Sequence, residues 1–316
     1  MIFAVSDKLG SDRKEKYMNI NWYPGHMAKA FRILADDLKG VDIVVQMRDA
    51  RVAFSSINPK FEKLFKNKIN IILLSKCDLA DPRETSRWTE RLKAEGASCV
   101  MPVNAADPAS VKQVKKCILA QAAEIRQSIF ERRGMKTTVR AVVAGIPNSG
   151  KSTFINNFFG TAKAKTGNKP GVTKEKQWIK ESPDFEIMDT PGLLWPDLEN
   201  KRTMLNLTVT NAIKNELYDP LNLASEFIVT YKDILSAGIQ ERYGVDITDI
   251  SLGEEVIDAV CEKKSMKMKG GINDTQRCSE QLLTDFRAGK LGRITLENAE
   301  QTGSIWQKRE KKDKKE

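Results

Sequence analysis

Three observations predict an α/β protein with a mostly parallel sheet, followed by a smaller all-helical domain. Apolar or β-branched runs of strand length occur at 41–47, 69–74, 98–103, 137–146 and 185–190. Helix-length stretches with apolar residues every three to four positions, such as 27–38 and 111–129, lie between the early ones. After about residue 203 the strand signals stop, and 205–217, 223–237 and 252–264 read as amphipathic helices. Strands alternating with helices build right-handed βαβ units, whose sheet is parallel and covered on both faces.

In chain order, residues 1–18 form an N-terminal extension, 19–205 the α/β domain, 206–305 the helical domain and 306–316 a charged tail. A chain of 316 residues has room for two such domains, each with its own core. The extension carries Asp7, Asp12 and Glu15 and no sustained apolar segment, which argues against a secretory signal and, less decisively, a mitochondrial transit peptide. The tail KREKKDKKE has nothing to bury and is expected to be disordered.

The longest apolar runs are strand-sized, far short of the roughly 20 residues that span a bilayer, so no membrane span is expected. Cys77, Cys99, Cys117, Cys261 and Cys278 are dispersed without a CxxC pair, which fits reduced thiols in a cytoplasmic protein better than disulfides or zinc. Lys and Arg number 52 against 42 Asp and Glu, a net charge of +10. Half of that excess falls in residues 261–316, with 14 basic and 9 acidic side chains. A polyanionic partner is plausible from charge, but so is a solvated helix face.

The first chemical motif is Gly145-Ile146-Pro147-Asn148-Ser149-Gly150-Lys151-Ser152, a GxxxxGK[ST] loop between an apolar strand and a helix. Glycines let the backbone curl so that the N–H groups of Asn148, Ser149, Gly150, Lys151, Ser152 and Thr153 point at phosphate oxygens, aided by the helix dipole. Lys151 would reach the β/γ-phosphates, and the Ser152 hydroxyl would ligate Mg²⁺.

A P-loop alone does not choose between ATP and GTP, but three further pieces bear on the choice. Asp189-Thr190-Pro191-Gly192 closes a strand 37 residues after Ser152. Its Asp189 suits the magnesium shell through water, and the Gly192 N–H suits the γ-phosphate. Thr173 lies between the two, in Lys169-Pro170-Gly171-Val172-Thr173, where a switch threonine would give Mg²⁺ a second hydroxyl. Taken alone, that pentapeptide reads equally well as a plain turn. The third piece is Ser75-Lys76-Cys77-Asp78, at the end of the strand 69–74, which resembles NKxD. Asp78 can accept from the N1–H and 2-amino group of guanine, donors that adenine lacks, while the Lys76 stem covers the ring. Ser75 is shorter than the usual Asn, so guanine preference is expected with weaker affinity. Asn104 and Ala105, after the next strand, fit the loop whose backbone N–H meets guanine O6.

The guanine motifs precede the P-loop, the reverse of the ordinary order, so the chain reads as a circularly permuted P-loop GTPase. Asn21-Trp22-Tyr23-Pro24-Gly25-His26-Met27, Asp49-Ala50-Arg51 and Ser55-Ser56-Ile57-Asn58-Pro59 make the likeness specific. With Gly270-Gly271-Ile272-Asn273-Asp274 and Arg277, the chain resembles the YlqF, or ribosome biogenesis GTPase A, family over roughly residues 20–295. It departs from that pattern at Ser75 for Asn, Ala53 for Pro and Ser149 for Val.

The resemblance implies maturation of the large ribosomal subunit, with GTP and GDP as ligands and precursor rRNA as partner. It also implies a catalytic histidine in the PGHM motif, here His26, because Leu193 follows Gly192 where other GTPases place a water-orienting glutamine. The bland alternative is that His26 packs or caps a helix. Asn148 resembles the asparagine that helps bind K⁺ in related GTPases, or else only shapes the turn. For Lys263, Lys264, Lys267, Lys269, Arg277, Arg287 and Arg293 the resemblance implies RNA contact for the domain as a whole. The expected protein is a cytoplasmic monomer. The alternatives are a GTP-dependent RNA-binding module with negligible hydrolysis, and a P-loop ATPase acting on another polyanion.

Overall fold

The computed structural model describes residues 34–65, 67–161, 177–194, 200–213, 218–300 and 302. His26, Thr173, the extension 1–18 and the whole tail 306–316 lie outside the described residues.

The first half builds β1 (Ile43–Asp49), α1 (Pro59–Phe65), β2 (Ile69–Ser75), α2 (Pro82–Ala94), β3 (Cys99–Val103) and α3 (Pro108–Arg133). It continues through β4 (Val139–Gly145), α4 (Lys151–Phe159), β5 (Gln177–Ser182) and β6 (Phe185–Asp189). The helix starts are written into the chain. Asp81 and Asp107 each accept two backbone N–H groups at the mouths of α2 and α3, with proline at the first helical position.

The six strands lie in the order β3-β2-β1-β4-β6-β5, parallel except for the antiparallel edge strand β5. Alternation along the strands divides the core. Ile43, Val45, Met47, Ile71, Leu73, Ala141, Val143 and Ile187 pack on Val111, Val114, Ile118, Phe154 and Phe158 of α3 and α4. Val44, Val142, Ala144 and Met188 face Leu34, Leu38, Phe61 and Phe65, while Ile72 and Leu74 meet Trp88 and Leu92 of α2. β5 escaped the pattern because Trp178 and Ile179 are adjacent rather than alternating and the strand stands last in the sheet order.

The second half consists of α5 (Lys201–Val209), α6 (Pro220–Thr230), α7 (Lys232–Tyr243), α8 (Gly253–Lys263) and α9 (Thr275–Arg287). Helix α5 runs through residues 205 and 206, where the sequence suggests the domain change. The single helix expected over 223–237 is two, separated at Tyr231, whose φ of −123° and ψ of 25° leave the helical region. The buried Tyr231 ring packs on Phe227 at 5.7 Å and its hydroxyl donates to Asn206, so tertiary contacts override local periodicity. Leu205, Phe227, Leu235, Ile257, Leu282 and Phe286 fill this core together with Val52 from the α/β half.

After α9 the chain turns back onto the sheet domain. Ile294 N–H donates to the Leu79 carbonyl at 3.0 Å and Leu296 N–H to the Arg51 carbonyl at 2.8 Å. Trp88 Nε1 donates to the Glu297 carbonyl at 2.8 Å. Residues 293–300 are thus a strap across the first half of the chain.

Candidate nucleotide site

The strand order reverses direction between β1 and β4, and in open α/β sheets ligands bind outside the carboxyl ends of strands at such a point. The register brings those ends level, pairing Asp49 with Ser75, Ser75 with Val103, Met47 with Gly145 and Val143 with Asp189. P-loop, aspartate strand and guanine turn therefore share one crevice despite their scattered positions in the chain.

Gly145 and Gly192 are dictated by close approach. A Cβ at Gly145 would lie 2.4 Å from the Met47 carbonyl oxygen, and one at Gly192 would lie 2.6 Å from Pro147 Cα. Leu193 N–H donates to the Gly145 carbonyl at 3.2 Å, fastening the aspartate segment to the loop. Asn148 and Gly150 take left-handed φ values of 56° and 90°, curling the loop before α4 begins at Lys151. Ser149 is buried and its hydroxyl donates to the Ile146 carbonyl at 2.9 Å. Thr153 lies half-buried in the first turn of α4.

Lys151 is folded onto its own loop, donating to the carbonyls of Ile146 at 2.8 Å and Gly145 at 3.3 Å. Burial pushes its ammonium down to about 8, partly offset by Asp189. Ser152 Oγ donates to Asp189 Oδ2 at 3.2 Å. That hydroxyl and carboxylate are hard oxygen donors, which suit Mg²⁺ completed by phosphate oxygens and water.

On the guanine side, Ser75 is fully buried and its hydroxyl donates to the Arg48 carbonyl at 3.0 Å. Lys76 (φ 55°) opens a tight turn and places Nζ 3.0 Å from Asp49 Oδ2. Burial lowers the Lys76 pKa, and Asp49 works against that shift. Asp78 stands exposed on the turn. Asn157 of α4 donates to the Ala105 carbonyl at 2.7 Å, and Asn104 Oδ1 accepts from Ala106 N–H at 2.9 Å. The loop at 104–106 is thereby held beside Gly150, whose Cβ position would lie 3.5 Å from Ala105 Cβ.

Comparison with known proteins agrees with this geometry. Residues 140–235 match the family described as 50S ribosome-binding GTPase. Over 288 residues the chain is 38% identical to Ribosome biogenesis GTPase A of Bacillus pumilus, covering 90% of this chain and 100% of that one. The chain belongs to the ribosome biogenesis GTPase A family. Its fold is that of a GTPase, and it binds and hydrolyses GTP. Ribosome biogenesis GTPase A of Thermotoga maritima is 28% identical over 91% of this chain and 98% of that one. Mitochondrial ribosome-associated GTPase 1 of Mus musculus is 31% identical, covering 87% and 89%. GNP-bound YlqF from T. maritima superposes with a TM-score of 0.59 at 26% identity, covering 86% of this chain and 99% of that one.

Membership of the family does not account for every contact. Asn148 Nδ2 donates to the Asn211 carbonyl at 2.6 Å, tying the P-loop to the segment that follows α5. Arg287 donates to the carbonyls of Thr208 at 3.0 Å and Val209 at 2.8 Å. Arg293 donates to those of Cys77 and Ala80 at 2.7 and 2.9 Å. These two arginines, grouped by charge with the lysines expected to contact RNA, donate to backbone carbonyls of their own chain, Arg287 half-buried and Arg293 exposed. No local sequence signal marks the contacts of Asn148 with Asn211, of Arg293 with Cys77 and Ala80, or of Asp49 with Lys76, because each depends on a partner brought in by the fold. Among the described residues, no helix is long and apolar enough to cross a membrane.

Proposed function

We propose that this GTPase assembles the large ribosomal subunit, binding the precursor particle and its rRNA when GTP-loaded and releasing them after hydrolysis. The observation that carries the reading is the bond between Asn148 of the P-loop and Asn211 of the helical half. It gives a change at the phosphates a direct mechanical path to the helices. The exposed side chains of Lys263, Lys264, Lys267, Lys269 and Arg277 form the surface we assign to RNA phosphates.

In the nucleotide complex Asp78 accepts from the guanine N1–H and 2-amino group, Lys76 covers the ring, and Ala105 N–H meets O6. Asn104 holds that loop and Ser75 supports the turn. The N–H groups of Asn148, Ser149, Gly150, Lys151, Ser152 and Thr153 cradle the phosphates, with Lys151 Nζ on the β- and γ-oxygens. Ser152 and Thr173 would hold Mg²⁺ directly and Asp189 would hold it through water, with Gly192 N–H on the γ-phosphate. Bound Mg²⁺ neutralises charge on the β/γ-oxygens. Leu193 is buried and cannot hydrogen-bond water, so His26 is assigned to orient the attacking water. Asn148 is the assigned K⁺ ligand, its amide oriented by Asn211. The protein is placed in the cytoplasm as a monomer.

GTP turnover measured with and without large ribosomal subunits tests the function. Stimulation by the particle, with salt-sensitive binding that requires GTP, is the expected result. Equal binding with GTP and GDP would sink the switch. Equal turnover in KCl and NaCl would remove K⁺.

A further inference from the structure

The turn that carries Asp78 is shaped from outside its own half of the chain. Within the turn, Leu79 N–H donates to the Lys76 carbonyl at 2.9 Å. The neighbouring side chains point elsewhere, Ser75 to the Arg48 carbonyl and Lys76 to Asp49. The strap supplies the rest. Arg293 Nη2 donates to the Cys77 carbonyl at 2.7 Å and its Nε to the Ala80 carbonyl at 2.9 Å. Ile294 N–H donates to the Leu79 carbonyl at 3.0 Å, and Thr295 Oγ1 accepts from Asp81 N–H at 3.0 Å.

These four bonds fall within five consecutive residues, and the two from Arg293 land on either side of Asp78. The strap is itself anchored, by Leu296 N–H to the Arg51 carbonyl at 2.8 Å and by Arg91 to the Thr302 carbonyl at 2.6 Å. We infer that residues 293–295 are part of the guanine site and that Arg293 is a positioning residue for base recognition, its planar fork fixing the backbone on both sides of Asp78. A carboxylate that must meet two in-plane donors tolerates little rotation, so holding the backbone at Cys77 before it and at Leu79 and Ala80 after it decides whether both bonds form together. The fork matters because lysine offers a point charge where arginine spans two acceptors.

The inference rests on Asp78 as the guanine carboxylate, and the test separates the two. The full chain is titrated with GDP and with inosine diphosphate, which keeps N1–H but lacks the 2-amino group. Wild type prefers GDP. In Arg293→Ala, GDP affinity is expected to fall by about tenfold while inosine diphosphate loses far less, so the preference collapses, with Arg293→Lys intermediate. A merely structural arginine would lower the melting temperature and leave the ratio of the two affinities within twofold of wild type, and that overturns the inference. If Arg293→Ala does not fold, Arg293→Lys and Thr295→Ala are judged by the same ratio. Asp78→Asn is the control. If it leaves the ratio intact, the Asp78 assignment fails and the strap's role falls with it. If Asp78→Asn abolishes the preference while the Arg293 variants keep it, only the strap's role fails.

Discussion

Lys76 of the guanine turn sits 3.0 Å from Asp49, and Asp49 at the same time grips Arg51 through Nη2 at 2.8 Å and Nε at 3.0 Å. Arg51 in turn lies 5.3 Å from the centre of the Phe286 ring in α9. One carboxylate therefore joins Lys76 to the helical half through Arg51. Burial opposes its charge, but Arg51 and Lys76 outweigh that and hold the Asp49 carboxyl well below the usual range. Asp49→Asn leaves a guanidinium only 1% exposed without its counter-charge, so a loss of about 3–5 kcal/mol is expected in urea denaturation. A midpoint unchanged from wild type would contradict it.

Lys151 makes nucleotide binding depend on pH. In the free protein its ammonium titrates at about 8, because it is buried. Phosphates beside it favour the charged form, so the complex keeps the proton to higher pH. Below about pH 8 both states are protonated and affinity is flat. Above it the free protein loses the proton while the complex retains it, and GDP affinity falls by up to about tenfold per pH unit. Calorimetry at pH 8 in buffers of differing ionisation enthalpy should show proton uptake, and none would refute the account.

Glu297 is the anchor of the strap. Its buried carboxylate accepts from the backbone N–H groups of Phe54 at 2.6 Å and Ser55 at 3.0 Å, from Asn206 Nδ2 at 2.9 Å, and from the Ser55 hydroxyl. All four partners donate, so Glu297→Gln turns an amide N–H₂ against donors. A destabilisation of about 2–3 kcal/mol is expected by denaturant titration. Under 0.5 kcal/mol would mean that the network contributes little.

Asp285 gives the helical half an acid limit. Burial alone would raise its pKa, but hydrogen bonds from Arg242, Tyr243, Lys290 and Gln281 bring it below the ordinary carboxylate value. A depressed carboxylate stabilises the fold above its unfolded pKa, near 4, and loses that contribution as pH falls through the folded value. The melting temperature should therefore drop below about pH 4, and Asp285→Asn should flatten that limb while lowering the plateau. An equally steep limb in the variant would assign the acid sensitivity elsewhere.

His26→Ala is expected to leave GDP binding intact and slow particle-stimulated turnover by about tenfold or more, the usual scale for losing a group that orients water or moves a proton. Unchanged single-turnover hydrolysis on the particle would remove His26 from the chemistry.

Much of the sheet was legible because its signals are local. The runs at 69–74 and 139–145 are apolar enough to be buried on both faces, and the periodic stretch at 111–129 falls within helix α3. What was illegible depended on partners. β5 exists because β6 gives it an edge, and the helix expected over 223–237 divides because Tyr231 finds Asn206. Charge alone grouped Arg287 and Arg293 with the lysines assigned to RNA in our proposal, since composition cannot say which guanidinium reaches a carbonyl.

By itself the sequence determined the α/β class, the P-loop chemistry and the reversed order of the guanine and phosphate motifs. Each of these is carried by a few adjacent residues with fixed backbone needs. Only the tertiary structure decided that the strap of residues 293–297 lies against residues 77–81, that Asn148 meets Asn211, and that Asp49 joins Lys76 to Arg51. Those contacts follow from strand order and register. Strands far apart in sequence end side by side in the crevice, while the chain after α9 returns against the turn at 77–81.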